Sequence, residues 1–140
     1  MGREGRRYER DEGMKALVVD DSSATRFIIA RMLREIGCSV VEAENGEVAL
    51  EVLGQNQDAT FALVDWNMPV MNGFDLVQAI RKQESYEALK LMMVTTETEM
   101  TQVVKAMEAG ANEYLMKPFT KEMLVDKIAL LGIGVSLDAE

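Results

Sequence analysis

Residues 61–73, with the sequence FALVDWNMPVMNG, contain a short apolar run, an aspartate and a turn that ends in glycine. The run at 61–64 has the length and composition of a buried strand, and Asp65 follows it directly. Apolar residues then recur at the spacing of a helix: Phe74, Leu76, Val77 and Ile80. This stretch therefore predicts a strand, a turn and a helix, with a carboxylate at the end of the strand.

The same strand-then-helix pattern occurs four more times along the chain. Further strands are predicted at 16–19, 40–41, 91–94 and 113–116. The helices are predicted to begin at positions that mostly carry capping side chains: Ser22 or Ser23, Asn45, Asn72, Thr98 or Glu99, and Thr120. Glycines predict four helix ends: Gly37, Gly54, Gly110 and Gly132. Because parallel strands need long crossover connections, five such pairs predict an α/β fold with a parallel sheet and helices on both faces.

The chain of 140 residues has the length of one domain, since domains commonly contain about 100–150 residues. Residues 1–13 contain four positive and four negative side chains and offer little apolar surface to bury. We therefore expect them to form a disordered N-terminal tail. The folded domain is predicted at 14–131, followed by a short C-terminal tail at 132–140.

The composition excludes several kinds of function. Without histidine there is no histidine base, phosphohistidine or histidine metal site, and the single cysteine, Cys38, excludes an internal disulfide and a zinc cluster. The net charge of −9 argues against nucleic-acid binding. No apolar run approaches the ~20 residues of a membrane helix, and the first residues lack the pattern of a signal peptide. We therefore expect a cytoplasmic protein that binds neither nucleic acid nor membranes.

Chemically complementary side chains follow four of the five predicted strands, whereas the second strand is followed only by acids without an obvious partner. Asp20 and Asp21 follow the first strand, Asp65 follows the third, Thr95 the fourth and Lys117 the fifth. Each is common at such a position, as a helix cap or a turn residue. In open α/β sheets, however, ligands bind beyond the carboxyl ends of the strands. Complementary groups at four strand ends therefore favour one shared site.

This set of groups suits phosphoryl transfer. Clustered carboxylates repel one another unless a cation lies among them, and oxygen ligands without sulfur or imidazole suit Mg²⁺. A carboxylate can also attack phosphorus as a nucleophile and form an aspartyl phosphate. Phosphoryl transfer needs positioning and neutralised charge, which a metal ion, a lysine and a hydroxyl provide.

Four segments resemble the receiver domains of two-component response regulators, in particular the stand-alone, chemotaxis-type (CheY-like) members: 17–22 (LVVDDS), 65–73 (DWNMPVMNG), 94–97 (VTTE) and 110–119 (GANEYLMKPF). The resemblance extends over residues 14–131, nearly the whole predicted domain. It implies a flavodoxin-like (βα)5 fold, in which a doubly wound parallel five-stranded sheet has the strand order 2-1-3-4-5.

The resemblance also implies roles for the acidic residues. Asp65 would be the phosphoacceptor. Asp20, Asp21, Asp65 and the backbone carbonyl of Asn67 would form a metal site, with Asp20 binding partly through water. The ion would be Mg²⁺, with Mn²⁺ as an alternative.

The remaining site residues are implied in the same way. Lys117 would bind a phosphoryl oxygen, and the Lys117-Pro118 peptide bond would be cis. Thr95 would turn its hydroxyl toward the phosphoryl group, while Tyr114 changes rotamer in step. Together with Asp65, Lys117 and Thr95 are the implied catalytic residues. The movement would bias a two-state equilibrium and change a protein-binding face formed by the fourth helix, the fifth strand and the fifth helix.

The resemblance implies a signalling protein rather than an enzyme, apart from catalysis of its own phosphorylation and dephosphorylation. A CheA-like histidine kinase would be the phosphodonor, and the target in chemotaxis would be a flagellar motor switch protein or a phosphatase. We expect a monomer. A phosphorelay intermediate, or a stand-alone receiver outside chemotaxis, is the alternative. A small phosphatase with an aspartate nucleophile is more distant, because residues 20–22 lack the second acid that such hydrolases place two residues after the nucleophile.

Overall fold

The computed structural model describes residues 14–96 and 100–134, except for the side chain of Met100. The predicted tail at 1–13, the greater part of the predicted C-terminal tail and the predicted helix starts at Thr98 and Glu99 lie outside the described residues. Each of the five predicted strands and each of the five predicted helices is present in the described ranges.

Within these ranges, five parallel strands form one sheet. The strands are β1 (Lys15–Val19), β2 (Ser39–Ala43), β3 (Phe61–Asp65), β4 (Lys90–Thr95) and β5 (Glu113–Met116). The helices are α1 (Ser23–Glu35), α2 (Gly46–Gln55), α3 (Gly73–Arg81), α4 (Met100–Ala109) and α5 (Lys121–Leu130). The strands lie in the order β2-β1-β3-β4-β5, and each neighbouring pair is parallel. The predicted flavodoxin-like order is therefore confirmed.

Helices cover both faces of the sheet because alternate strand residues point to opposite sides. On β1, Leu17 and Val19 belong to one buried cluster, and Ala16 and Val18 belong to the other. Side chains of α2, α3 and α4 fill the first cluster, and those of α1 and α5 fill the second. The central strand β3 is buried along its whole length. No helix in the described parts of the chain has the length and apolar character needed to cross a membrane.

Hydrogen bonds and backbone angles confirm most of the predicted helix boundaries. Four predicted capping side chains accept a hydrogen bond from the backbone N–H three residues later: Ser22, Asn45, Asn72 and Thr120. Three predicted helix ends have a glycine with φ of 100°, 127° and 83°: Gly37, Gly110 and Gly132. Glycine adopts this left-handed region readily because it has no Cβ.

The predicted helix end at Gly54 is wrong. Helix α2 continues through Gly54 to Gln55, and its cap is Asn56. The Nδ2 of Asn56 donates to the Val52 carbonyl at 2.8 Å, so a side chain satisfies the last turn where a left-handed glycine was expected. A short 3-10 helix at Glu84–Tyr86, which the sequence pattern did not predict, leads into β4.

Two glycines in open surroundings are expected to respond in opposite directions to alanine. A Cβ at Gly54 or at Gly132 would have no heavy atom within 4 Å, but Gly132 has a φ of +83°. Gly54→Ala should raise the free energy of unfolding by about 0.5 kcal/mol, because alanine favours the helix and restricts the unfolded chain. Gly132→Ala should lower it by about 1 kcal/mol through left-handed strain. Urea unfolding measures both, and effects of the same sign would contradict this account.

Candidate functional site

Three aspartates meet at the carboxyl edge of the sheet. Asp20 follows β1, Asp21 lies in the turn into α1, and Asp65 is the last residue of β3. One carboxylate oxygen from each lies within 4.8 Å of the other two. Asp20 and Asp65 are buried, with 2% and 8% of their surface exposed, whereas Asp21 is exposed. The sheet thus brings together all three predicted acidic side chains, one of them open to solvent.

Lys117 adds a positive charge to this cluster. It directly follows β5, and its Nζ lies 3.2 Å from Asp20 Oδ2 and 3.4 Å from Asp65 Oδ1. Its backbone N–H donates to the Thr95 carbonyl at 2.7 Å, which joins the end of β5 to the end of β4. The peptide bond between Lys117 and Pro118 is cis, as predicted.

Close backbone contacts fix the turn that follows Asp65. The Trp66 N–H donates to the Val94 carbonyl at 3.1 Å, and the Gly73 N–H donates to the Trp66 carbonyl at 3.0 Å. A Cβ at position 73 would lie 2.5 Å from the Asp65 carbonyl oxygen, so the turn requires glycine there. Between these contacts Val70 has a φ of 70°, which is rare for a β-branched residue. Both groups of the Trp66 backbone are therefore hydrogen-bonded directly after Asp65, one to β4 and one across the turn.

Burial and neighbouring charges change the protonation of the site. Loss of solvent raises the pKa of Asp65, the charge of Asp20 raises it further, and Lys117 opposes both, which leaves a pKa of about 6. Burial acts to lower the pKa of Lys117, but the charges of Asp65 and Asp20 more than offset this and raise it. At neutral pH the site therefore contains the Lys117 ammonium group and an Asp65 carboxylate that is ionised at a cost, which a further cation would relieve.

The donor set fits a divalent cation of the magnesium type. Asp20, Asp21 and Asp65 offer hard oxygen ligands, and three carboxylates against one ammonium leave an excess of negative charge. The exposed position of Asp21 would let such an ion keep several waters, as Mg²⁺ usually does. Asn67 lies in the exposed part of the same turn, and its backbone carbonyl stays a predicted further ligand.

Thr95 and Tyr114, the predicted switch residues, lie on neighbouring strands. Thr95 ends β4 with 1% of its surface exposed, and its hydroxyl donates to the Thr96 carbonyl at 3.2 Å. Tyr114 lies on the adjacent strand β5 and is half-buried. The Nζ of Lys127 on α5 lies 4.2 Å from the centre of the Tyr114 ring, a cation–π contact. The same Nζ donates to Glu113 Oε1 at 3.0 Å.

Arg26, which no sequence pattern predicted as a site residue, also contacts the acidic turn. Its Nη1 donates to the backbone carbonyl of Asp20 at 2.7 Å. The one available signal is its spacing, because the residue four positions after the Ser22 cap lies one helical turn above that cap. Spacing alone does not distinguish this position from an ordinary exposed face of a helix.

A family comparison matches residues 16–129 to the response regulator receiver domain. The chain belongs to this family. Among similar proteins, the chemotaxis protein CheY homolog of Campylobacter jejuni is 46% identical over 123 residues, which cover 86% of this chain and 95% of the relative. The chemotaxis protein CheY1 of Helicobacter pylori is 44% identical over 119 residues, which cover 84% and 96%.

Solved structures show the same receiver fold. Vibrio cholerae chemotaxis protein CheY4 has a TM-score of 0.77 and 34% identity, over 86% of this chain and 98% of that chain. A putative two-component system response regulator/GGDEF domain protein has a TM-score of 0.82 and 29% identity over 90% of this chain, which spans only 51% of that longer protein. The predicted CheY-like receiver is thereby confirmed, and the similarity supports a chemotaxis response regulator, which is a signalling protein.

Proposed function

We propose that Asp65 accepts a phosphoryl group from a histidine kinase in a reaction that depends on Mg²⁺. One observation carries this proposal: three carboxylates lie within 4.8 Å at the strand ends, with the Lys117 ammonium 3.4 Å from Asp65. Membership of the receiver family supports a kinase as the donor and a protein as the downstream target. Because the relatives are named chemotaxis proteins, we propose a CheA-like kinase as the donor and a flagellar motor switch protein or a phosphatase as the target. We propose further that the protein acts as a monomer in the cytoplasm.

In the transfer, a carboxylate oxygen of Asp65 forms a bond to phosphorus while the bond from phosphorus to the donor's histidine nitrogen breaks. The imidazole leaves with the electron pair of that bond. With a pKa of about 6, Asp65 is ionised at neutral pH and can act as the nucleophile. Lys117 lies close enough to donate to a phosphoryl oxygen. A bound Mg²⁺ would neutralise charge on the phosphoryl oxygens. These groups would also let the chain catalyse its own dephosphorylation by water.

The phosphorylated state would be read through the face formed by α4, β5 and α5. A phosphoryl group carries about −1.5 to −2 charge, which replaces the single charge of the Asp65 carboxylate and so increases the negative charge beside Lys117. The Thr95 hydroxyl would exchange its bond to the Thr96 carbonyl for one to a phosphoryl oxygen. Tyr114 on the next strand would then change its rotamer, which would alter the contact of its ring with Lys127. A local change of charge would in this way alter a surface that a partner contacts.

Phosphorylation with acetyl phosphate and Mg²⁺ tests the proposal directly. Intact-mass measurement of the wild type should show the addition of one phosphoryl group, which hydroxylamine removes because it cleaves acyl phosphates. Asp65→Asn should abolish the addition, since an amide lacks the nucleophilic carboxylate. Asp126→Asn on the exposed face of α5 is the matched control, because it removes one acid away from the strand ends and should leave labelling unchanged.

Two results would contradict the assignment. Full labelling of Asp65→Asn would place the phosphoryl group elsewhere, and a label that resists hydroxylamine would not be an aspartyl phosphate. Partner binding is tested separately with beryllium fluoride, which imitates the phosphoryl group. Stronger capture of a motor switch protein in its presence would support the chemotaxis role. Transfer of labelled phosphate onward to a histidine-containing protein would instead favour the phosphorelay alternative.

A further inference from the structure

Arg26 connects three elements around the acidic turn. It lies on α1, and its Nη1 donates to the backbone carbonyl of Asp20 at the end of β1 at 2.7 Å. Its Nε donates to Glu42 Oε1 on β2 at 3.2 Å. The Arg26 side chain is only 17% exposed. A short bond from a mostly buried guanidinium holds the carbonyl more firmly than a neutral donor would.

The contact with Arg26 completes the hydrogen bonding of Asp20. The Asp20 N–H donates to the Ala43 carbonyl at 3.1 Å, and Asp20 Oδ1 accepts from the Ser22 N–H at 2.9 Å. Asp20 Oδ2 lies 3.2 Å from Lys117 Nζ. With the carbonyl held by Arg26, both backbone polar groups and both carboxylate oxygens are engaged. The turn is therefore fixed in place against the repulsion among the three acids.

The positive charge of Arg26 has to be reconciled with a nearby site for a divalent cation. A lone positive charge near a cation site would weaken the binding of a divalent ion by Coulomb repulsion. Arg26 is paired with Glu42 at 3.2 Å, so the pair carries no net charge. The guanidinium can therefore donate to the turn with little repulsion toward an ion. This combination suits a residue that orients the ligands of a cation.

We infer that Arg26 is a positioning residue for the divalent cation: by holding the Asp20 carbonyl, it orients the turn that presents Asp20 and Asp21 to the ion. The inference rests on the cation site of the proposed function and does not depend on phosphorylation. Removal of hydrogen bonds that orient metal ligands commonly weakens metal binding by about 10- to 100-fold. We expect the lower end, because Asp20 keeps its other bonds.

Mg²⁺ titration of Trp66 fluorescence, with calorimetry as a second readout, tests the inference. Trp66 is the only tryptophan and directly follows Asp65. Arg26→Met should raise the Mg²⁺ dissociation constant about tenfold. Arg31→Met is the matched control, because Arg31 lies on the same helix and also pairs with a glutamate, at 3.4 Å, but its side chain is 71% exposed. This control should leave the dissociation constant unchanged.

The direction of the change separates positioning from charge. If Arg26 acted through its charge alone, Arg26→Met would tighten Mg²⁺ binding, so an unchanged or lower dissociation constant overturns the inference even where thermal stability falls. If that variant does not fold, Arg26→Lys keeps the charge without the planar fork and should still weaken binding severalfold. An unchanged constant for Arg26→Lys would then overturn the inference. A wild type that binds no Mg²⁺ would refute the proposed cation site itself, which is a different result.

Discussion

Asp65→Asn is expected to stabilise the metal-free protein at pH 8 by about 2 kcal/mol. Loss of solvent and the nearby charge of Asp20 raise the pKa of Asp65 from an ordinary value of 3.8 to about 6. Ionising this carboxyl therefore costs the folded state about 3 kcal/mol relative to the unfolded chain. Asparagine has nearly the same shape and no charge. This cost already includes the attraction to Lys117, and imperfect hydrogen bonding of a buried amide at this position reduces the expected gain to about 2 kcal/mol.

The size of this effect depends on pH in a defined direction. Because the pKa of Asp65 is raised on folding, the folded state binds more protons than the unfolded state between about pH 4 and pH 6. The free energy of unfolding of the wild type therefore falls as the pH rises through this window, by the contribution of Asp65. The variant lacks that contribution. The advantage of Asp65→Asn should accordingly grow by about 1 kcal/mol between pH 5 and pH 8.

Urea unfolding of both proteins at pH 5 and pH 8, in the presence of a chelator, measures the effect. Asp126→Asn, on the exposed face of α5, is the control for removal of one negative charge. Mg²⁺ should reverse the order of stability, because it binds the folded wild type. An ion at 100 times its dissociation constant adds about 2.7 kcal/mol. If the variant were less stable than the wild type at pH 8 without metal, the ionised Asp65 carboxylate would not destabilise the folded state.

The meeting of Asp20, Asp65 and Lys117 could be predicted because it follows from topology. Each residue ends or follows a strand, and the carboxyl ends of parallel strands lie at one edge of the sheet. The structure places the Lys117 ammonium 3.2 Å and 3.4 Å from the two carboxylates. The strands and the helices that end in glycine could be predicted equally well, because buried apolar runs and left-handed caps produce local patterns in the sequence. The chemical roles of these residues stay predictions that the proposed phosphorylation tests.

The errors and omissions have a different physical origin. Gly54 was misjudged because a glycine near the end of a helix is compatible both with a left-handed cap and with a last helical turn, and the side chain of Asn56 decided between them. Arg26 and Arg81 were not identified at all. Their guanidinium groups reach acceptors 16 and 29 residues away in the sequence. Contacts made by the tips of long side chains depend on the assembled fold and leave no periodic signal.

Arg81→Met is expected to lower the free energy of unfolding by about 3 kcal/mol. The guanidinium at the end of α3 donates to three backbone carbonyls: Tyr86 at 2.9 Å, Leu89 at 2.7 Å and Gly110 at 2.9 Å. It also donates to Asn112 Oδ1 at 2.9 Å. These bonds join the segment before β4 to the segment before β5. Methionine fills similar space but leaves partly buried carbonyls without their donor, and a bond to a charged group contributes about 1.5–3 kcal/mol.

Arg81→Lys is the matched variant, because it keeps the charge but cannot reach four acceptors with one ammonium group. Its free energy of unfolding should lie between that of the wild type and that of Arg81→Met. All the acceptors of Arg81 lie at the edge of the sheet opposite Asp65, or in the loops that enter its strands. At temperatures where the variants stay folded, their Mg²⁺ affinity and labelling by acetyl phosphate should therefore equal those of the wild type. A loss below 1 kcal/mol for Arg81→Met in urea unfolding would mean that water replaces these hydrogen bonds. A weaker Mg²⁺ affinity would mean that the loss of the Arg81 hydrogen bonds also disturbs the acidic cluster at the other end of the strands.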